Sequence, residues 1–209
     1  MVGSIPNDIF QFSTYAALNA GFNKGQPRTA DLTSHGTDGI GVYEDGSLMI
    51  LKGQQAHAIS RDGKAKPAPM EARLPLALVT VYEPNFRIKI PAISLDALEE
   101  LTSSDQMGPT KGVNTLMPFR IFGRFQSIEF EHGPNQSEID GMIFGFIVPE
   151  WMRSISGPRV HAHFLDTSEE VGGRVADFHI AEEALLDFAK CGRFHLGFPQ
   201  GEEWENIKL

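Results

Sequence analysis

Short apolar segments separated by tight-turn signals dominate the chain from residue 39 onward. Asp45-Gly46 and Asp62-Gly63 each stand between two such segments, an arrangement typical of β-hairpins. Segment 76–82 is nearly all apolar, as expected of a buried central strand. Helix signals are few and short, such as the Ser94 cap before segment 95–101. The pattern predicts an α+β, β-rich protein with few short helices.

Turn-forming residues in segment 102–113 predict a junction between two halves. We expect residues 1–110 to form one half and residues 111–209 the other, packed as one compact unit. Near the end of the chain, segment 182–189 has the pattern of an amphipathic helix, closed by Gly192.

The charge balance limits the partners of the chain. Lys and Arg number 18 against 27 Asp and Glu, a formal charge of −9. This disfavours a nucleic-acid surface, because binding of phosphates needs basic residues. We expect no membrane span, since no run of about 18 apolar residues is present. The single cysteine, Cys191, and the absence of a signal-peptide pattern in residues 1–8 favour a cytoplasmic protein acting on small molecules.

Two histidines, His161 and His163, lie one residue apart on an apolar, β-prone segment. Side chains alternate along a strand, so both imidazoles project from one face. Such a pair is a recurrent way to hold a metal, but it also occurs as ordinary polar surface. Zinc sites take three or four protein ligands, and two histidines alone do not decide between these readings.

The polar run 166–170, closed by Gly172-Gly173, predicts the turn of a hairpin that follows the histidines. The return strand places Arg174, Ala176 and Phe178 on one face. A third histidine at the start of this strand would complete a three-histidine metal site. An arginine stands there instead.

Arg120 interrupts an otherwise apolar predicted strand. A lone arginine in such a place is usually an edge residue whose head reaches solvent. If it points into a cavity, it is a clamp for a carboxylate. Both interpretations stay open at the level of sequence.

Several motifs at compatible spacings follow one another along almost the whole chain. They are Phe10-Gln11-Phe12-Ser13-Thr14 with Ala17-Leu18, His35-Gly36-Thr37-Asp38-Gly39-Ile40-Gly41, Arg120-Ile121-Phe122-Gly123-Arg124-Phe125, and His161-Ala162-His163-Phe164-Leu165 with Gly172-Gly173. Together they resemble the α-acetolactate decarboxylase family. The resemblance implies an N-terminal mixed sheet packed face to face against a C-terminal small β-barrel, and a homodimer.

The family decarboxylates 2-hydroxy-2-methyl-3-oxobutanoate to acetoin with a zinc ion held by three histidines. A cation on the carbonyl and hydroxyl oxygens lowers the barrier to the enediolate that remains after loss of carbon dioxide. By resemblance, His161 and His163 match two of the ligands, and Arg120 matches an arginine that contacts the carboxylate. Glutamates supply the proton transfers in the family.

The chain departs from the family pattern at two positions. The third ligand position is Arg174, and the family's Asp-Gly-Glu-Leu reads Asp45-Gly46-Ser47-Leu48, with Ser47 in place of the glutamate. A further acidic residue of the family lies near its C-terminus. Candidates for it in this chain are Glu202, Glu203 and Glu205.

Arg174 disfavours bound zinc for two reasons. Its guanidinium stays protonated and offers no lone pair. It also adds a like charge, which at 4 Å and an effective dielectric of 20 costs about 4 kcal/mol per unit charge and twice that for a divalent ion. We therefore favour a protein without a metal cofactor; zinc, if the family site survives, would be held by His161 and His163.

This replacement suggests a diverged, metal-independent lyase, isomerase or cyclase acting on a carbonyl acid or a polyketide-like compound. Arg174 and Arg120 would stabilise a carboxylate or developing enolate. His161 and His163 would act as acid and base near neutral pH. Ser47 would contact the substrate and leave room for a larger one.

Two alternatives belong to other classes of function. One is a genuine zinc-dependent acetolactate decarboxylase in which His179, on the opposite strand face from Arg174, or a tail glutamate completes the coordination. The other is a catalytically inactive homologue that retains a small-molecule pocket.

Overall fold

A computed structural model describes residues 7–110 and 112–209 of the protein. These residues form two seven-stranded sheets. The first sheet is mixed, and four strands of the second close into a small barrel, so the expected α+β, β-rich architecture is confirmed. The N-terminal segment without a signal-peptide pattern lies mostly outside the described residues, and so does Lys111 of the expected junction.

The first sheet has the strand order β14-β1-β6-β2-β3-β4-β5. Its strands are β1 (Ile9–Phe12), β2 (Asp38–Val42), β3 (Leu48–Lys52), β4 (Gln55–Ile59), β5 (Ala65–Pro67), β6 (Leu76–Thr80) and β14 (Phe194–Gly197). β1 and β14 are parallel, and the other neighbours are antiparallel. The fully buried β6 lies inside this sheet, as its apolar run predicts.

The second sheet has the strand order β7-β13-β9-β10-β11-β12-β8. Its strands are β7 (Phe86–Ile90), β8 (Ile93–Ser94), β9 (Met117–Phe130), β10 (Gln136–Ile147), β11 (Val160–Asp166), β12 (Gly172–Ile180) and β13 (Ala184–Phe188). An additional pairing of β9 with β12 closes β9 to β12 into the barrel.

The helices of the described residues are short. They are α1 (Tyr15–Asn19), α2 (Thr29–Leu32), α3 (Leu95–Ser103), α4 (Arg153–Ser156) and α5 (Glu202–Asn206), with 3₁₀ turns at Asp105–Thr110 and Glu150–Met152. The side chain of Ser94 caps α3 by accepting a hydrogen bond from the Ala97 N–H, as predicted. None of the helices in the described parts of the chain is long and apolar enough to cross a membrane.

Each of the two sheets contains strands from both sides of residue 110. β7 and β8 precede this residue but belong to the second sheet, whereas β14 follows it and joins the first. The division into halves 1–110 and 111–209 stays a prediction, and the two sheets are interleaved along the chain rather than separated by it.

The helix predicted over 182–189 is wrong, because these residues contain strand β13. β13 pairs with β7 on one side and β9 on the other. Ala184, Leu186 and Phe188 are buried in the core of the second sheet. Hydrogen bonds and burial supplied by distant strands therefore outweigh the local helical pattern.

Each face of β10 contributes to a different core. Ile143 and Ile147 pack inside the second sheet, whereas Phe144 and Phe146 pack against residues of the first sheet such as Ile50. This alternation, continued on β11, leaves one face of the barrel wall pressed against the first sheet. The candidate site lies on that face.

Candidate active site

The predicted hairpin is present, and it brings three of the expected residues together. His161 and His163 lie on β11, and Arg174 on β12 is the direct cross-strand partner of His163. The two imidazoles share one face, with ring centroids 6.1 Å apart. Both are buried, with 2% and 1% of their surface exposed.

Both histidines are held in one tautomer by backbone carbonyls. Nδ1 of His161 lies 2.7 Å from the Ser156 carbonyl oxygen, and Nδ1 of His163 lies 2.8 Å from that of Met49. A carbonyl only accepts, so each Nδ1 carries the proton and each Nε2 keeps its lone pair. The Nε2 atom of His163 is buried without a hydrogen-bond partner in the described structure.

A buried polar network and a glycine fix the position of His161. Gly157 has φ of +113°, and a Cβ atom there would lie 2.5 Å from Nδ1 of His161. The Ser156 hydroxyl donates to Oε1 of Gln11, whose Nε2 donates to the Ile155 carbonyl. The carbonyl that orients His161 is therefore held by contacts that reach β1.

Burial makes both imidazoles neutral. Burial, together with the nearby Arg174 charge, lowers the pKa of His163 to about 3 and the pKa of His161 well below its usual value. Neutral imidazoles whose Nδ1 protons are already donated can accept a proton at Nε2 but have none to give. This arrangement does not support an acid among them, and the acid and base roles expected of His161 and His163 stay a prediction.

Arg174 has partners that the sequence did not reveal. Its Nη2 donates to the Tyr15 hydroxyl at 2.9 Å, and its Nε lies 3.1 Å from a carboxylate oxygen of Glu131. Its side chain is 13% exposed. The Tyr15 ring in turn packs edge-on against His161, with centroids 5.6 Å apart. Tyr15 and Glu131 therefore belong to the site.

Arg174 forms part of the wall of a cavity of about 330 Å³. Glu131 and Gly173 lie on the same side, from the second sheet. The first sheet and α1 supply the apolar residues Leu18, Val42, Leu48 and Ile59. This size is at the lower end of small-molecule sites. The wall combines these apolar residues with polar ones, among them Arg61, Glu131 and Arg174.

The residues present do not fit the three-histidine zinc site. Two imidazole Nε2 atoms are available, but the third member of the constellation is a guanidinium, which cannot ligate. Within residues 7–110 and 112–209 no group of three His, Cys, Asp or Glu side chains is placed to hold a metal ion.

The residues considered as replacements for the third ligand lie elsewhere. His179 pairs with Ser94 and Ser127 and is exposed. A β-bulge between Val175 and Asp177 interrupts the alternation of side chains along β12. The prediction that Arg174 and Phe178 share one face of the strand is therefore wrong, and Phe178 is buried in the barrel. The tail residues Glu202, Glu203 and Glu205 lie in α5 and are exposed.

Arg120 lies in the same row of cross-strand neighbours as His163, but it does not join the group formed by the two histidines and Arg174. Phe144 on β10 pairs with His163 on one side and Arg120 on the other, and Arg120 pairs with Asp187 on β13. Two strand spacings of about 4.8 Å each separate His163 from Arg120. The arginine turns toward Asp187, away from the histidines.

Two carboxylates and two aromatic rings surround the Arg120 guanidinium. Asp187, which is fully buried, lies 3.4 Å from it, and Asp38 lies 3.7 Å from it. The rings of Tyr82 and Phe122 lie 4.8 and 4.9 Å from its central carbon. Burial raises the pKa of the Asp38 carboxyl. Arg120 is therefore engaged within the protein, and joint action with Arg174 on one ligand is not supported.

Ser47 does not reach the histidines either. Its backbone N–H and its hydroxyl both donate to Asp45 in the β2–β3 turn. Ser47 lines a separate cavity of about 290 Å³, together with Tyr43, Ala58 and Arg73. Its neighbour Leu48 lines the cavity beside Arg174. The predicted contact of Ser47 with a substrate at Arg174 is therefore not supported.

Comparison with solved structures identifies the class of fold. The alpha-acetolactate decarboxylase of Bacillus subtilis strain 168 superposes with a TM-score of 0.86 at 23% identity, covering 96% of this chain and 93% of that one. A Staphylococcus aureus protein of unknown function similar to alpha-acetolactate decarboxylase gives a TM-score of 0.85 at 19% identity, covering 96% and 94%. The architecture is thus that of acetolactate decarboxylases.

Sequence comparison identifies the family. The model of the alpha-acetolactate decarboxylase family matches residues 9–139 and 129–209. The alpha-acetolactate decarboxylase of Methylococcus capsulatus is 28% identical over 95% of this chain and 83% of its own length. That of Klebsiella aerogenes is 27% identical over 91% and 80%. The chain belongs to the alpha-acetolactate decarboxylase family.

Proposed function

We propose that this chain is a diverged, metal-independent member of its family that acts on a carbonyl acid as a lyase, isomerase or cyclase. The observation that supports this is the Arg174 guanidinium, which lies directly opposite His163 at the wall of a cavity large enough for a small molecule. A fixed positive charge stands where the family resemblance places the third metal ligand.

Arg174 supplies electrostatic stabilisation in this proposal. When the bond to a carboxylate breaks, carbon dioxide leaves and the bonding electron pair passes into an enolate whose oxygen becomes negative. Arg174 has five N–H donors, of which Tyr15 and Glu131 engage two. The remaining donors can bind that oxygen in the partly desolvated cavity, where such hydrogen bonds are strongest. The enolate then takes a proton from solvent to give the product.

The test measures metal content and turnover on the same preparation. Purified protein should contain well under one metal per chain, and chelator should not change carbon dioxide release from a panel of 3-oxo acids, whose decarboxylation gives an enolate. Removal of an oxyanion-binding donor typically lowers kcat by about 10²–10³-fold, and we expect this of Arg174→Gln, with partial activity in Arg174→Lys. Stoichiometric zinc, or activity lost to chelator, would contradict the proposal.

A zinc-dependent acetolactate decarboxylase is the second candidate, and one observation favours it. Both imidazoles donate Nδ1–H to a backbone carbonyl, which leaves the lone pair on Nε2, and zinc-binding histidines commonly donate their other ring N–H in this way. Acetoin formation from acetolactate that requires added zinc would establish this function. Acetoin formation in the presence of chelator would exclude it and support the metal-independent enzyme.

A further inference from the structure

A second arginine, Arg61, lines the same cavity as Arg174. It lies in the turn that joins β4 to β5 and is exposed. Its side chain makes no ion pair or hydrogen bond with the described residues, whereas Arg174 is paired with Glu131. Among the described residues, Arg61 is therefore a charge of this cavity without a partner.

Backbone contacts hold the Arg61 turn against the hairpin of the site. The Gly172 N–H donates to the Gly63 carbonyl at 2.9 Å, and the Ala65 N–H donates to that of Glu170 at 2.8 Å. Gly133 packs on the turn so closely that a Cβ atom would lie 3.1 Å from the Arg61 carbonyl oxygen. The position of Arg61 relative to β11 and β12 is thus fixed by the fold.

The charged residues of the cavity wall indicate what it accepts. They are Arg61, Arg174 and Glu131, which sum to one positive charge. The protein as a whole carries −9, so this surplus is local. Because Glu131 offsets Arg174, the unbalanced charge belongs to Arg61, and a ligand with one carboxylate neutralises it.

The residue expected to bind a carboxylate by family resemblance is less suited to that role. Arg120 is paired with Asp38 and Asp187 and is absent from the described wall of this cavity. A carboxylate that bound Arg120 would have to displace two carboxylates already in place. At Arg61 it meets no such competitor.

We propose that Arg61 binds the carboxylate of the substrate. The keto oxygen meets Arg174, and the alkyl part lies against Leu48 and Ile59. This inference rests on the proposed function, since it assumes that the reacting oxygen binds at Arg174.

The test compares an acid with its neutral analogue. Calorimetric titration of the full chain with 2-oxopentanoate and with 2-oxopentanamide should show that the acid binds at least about tenfold more tightly, as a charge-assisted contact predicts. In Arg61→Gln the ratio should fall to about one. Arg61→Lys should retain part of the preference. Arg73→Gln, an exposed arginine at the other cavity, should leave the ratio unchanged.

Arg174→Gln separates this inference from the proposed function, because it should weaken binding of the acid and the amide by a similar factor. If Arg174→Gln changes neither affinity while Arg61→Gln abolishes the preference, the proposed function fails and the role of Arg61 stands. The inference is overturned if the wild type binds no acid or prefers neither ligand. It is also overturned if Arg61→Gln keeps the preference for the acid over the amide. Loss of that preference in Arg120→Lys would then assign the carboxylate to Arg120.

Discussion

His163 and Arg174 are directly opposed on β11 and β12, so a side chain at position 174 projects beside the imidazole of His163. The pair therefore determines what the site can bind. With arginine, a fixed cation lies beside the buried, neutral imidazole of His163. With histidine, the same positions would form a group of three imidazoles on an otherwise unchanged wall.

We therefore expect Arg174→His to bind about one zinc ion per chain. The change adds a donor and removes a like charge, which is worth about 8 kcal/mol against a divalent ion at 4 Å and an effective dielectric of 20. The structure places Ser47 at a different cavity, so no change at that position is needed. Competition with a chromophoric chelator measures the affinity.

The matched control for this variant is the double substitution Arg174→His with His161→Asn. It has the same altered hairpin but one imidazole fewer, and it should bind zinc much more weakly. Equal zinc affinity of the single and double variants would mean that the imidazoles do not converge on one ion.

Acidic pH should destabilise the protein through the two buried imidazoles. Their pKa values are lowered in the folded state, to about 3 for His163, whereas in the unfolded chain they titrate near 6.5. The unfolded state therefore binds more protons between these values. The free energy of unfolding therefore keeps its full value above about pH 6.5. It falls as the pH decreases below that value, by about 1.4 kcal/mol per pH unit for each histidine.

Urea unfolding between pH 7.5 and 5.0 measures this loss. His163→Asn should reduce the dependence of the unfolding free energy on pH by about the contribution of one histidine. His195→Asn is the control, because the His195 side chain is 56% exposed beside Asp8. A pH dependence that is the same in wild type and His163→Asn would show that His163 is not held neutral by the fold.

The hairpin was predictable because its signals are local. The alternation of His161 and His163 and the turn that ends in Gly172-Gly173 lie within fifteen residues, and they suffice to bring Arg174 opposite the histidines. Tyr15 was not predictable, because it is 159 residues away from Arg174 and reaches it through the packing of α1 against the barrel wall.

Strand β13 shows the opposite case. Ala184, Leu186 and Phe188 do alternate with period two, but the same residues also fit a helical pattern. The pairing of β13 with β7 and β9 decides between the two, and both partners lie far away in the chain. The role of Asp187 as a partner of Arg120 is a consequence of that pairing and could not be deduced without it.

Asp187→Ala should destabilise the protein by about 3–5 kcal/mol, the typical cost of breaking a buried ion pair from one side. The Asp187 carboxylate is fully buried and accepts from both Nε and Nη2 of Arg87, at 2.6 and 3.0 Å. It also lies beside Arg120, which would retain Asp38 alone.

Glu183→Ala is the control for Asp187→Ala. Glu183, directly before β13, pairs with Lys89 on β7, but both side chains are more than 60% exposed, and such pairs contribute about 1 kcal/mol or less. Chemical denaturation of the two variants measures the difference. Comparable small losses would indicate that the row from Arg87 to Arg120 carries no net stabilisation.

Gly157→Ala should be markedly more harmful than Gly201→Ala, although both glycines have nearly the same positive φ, +113° and +111°. At Gly201 no atom of the described residues lies within 4 Å of a Cβ atom, so only backbone strain of about 1–3 kcal/mol is added. At Gly157 the methyl group would also lie 2.5 Å from Nδ1 of His161. The imidazole must then move and give up its hydrogen bond to Ser156, at a further cost of about 1–3 kcal/mol.

Denaturation curves give the two costs, and the ¹⁵N signals of the His161 ring report whether Nδ1 still carries its proton. Equal losses with an undisturbed ring signal would show that the glycine is required for its backbone conformation alone and not for holding His161 in place.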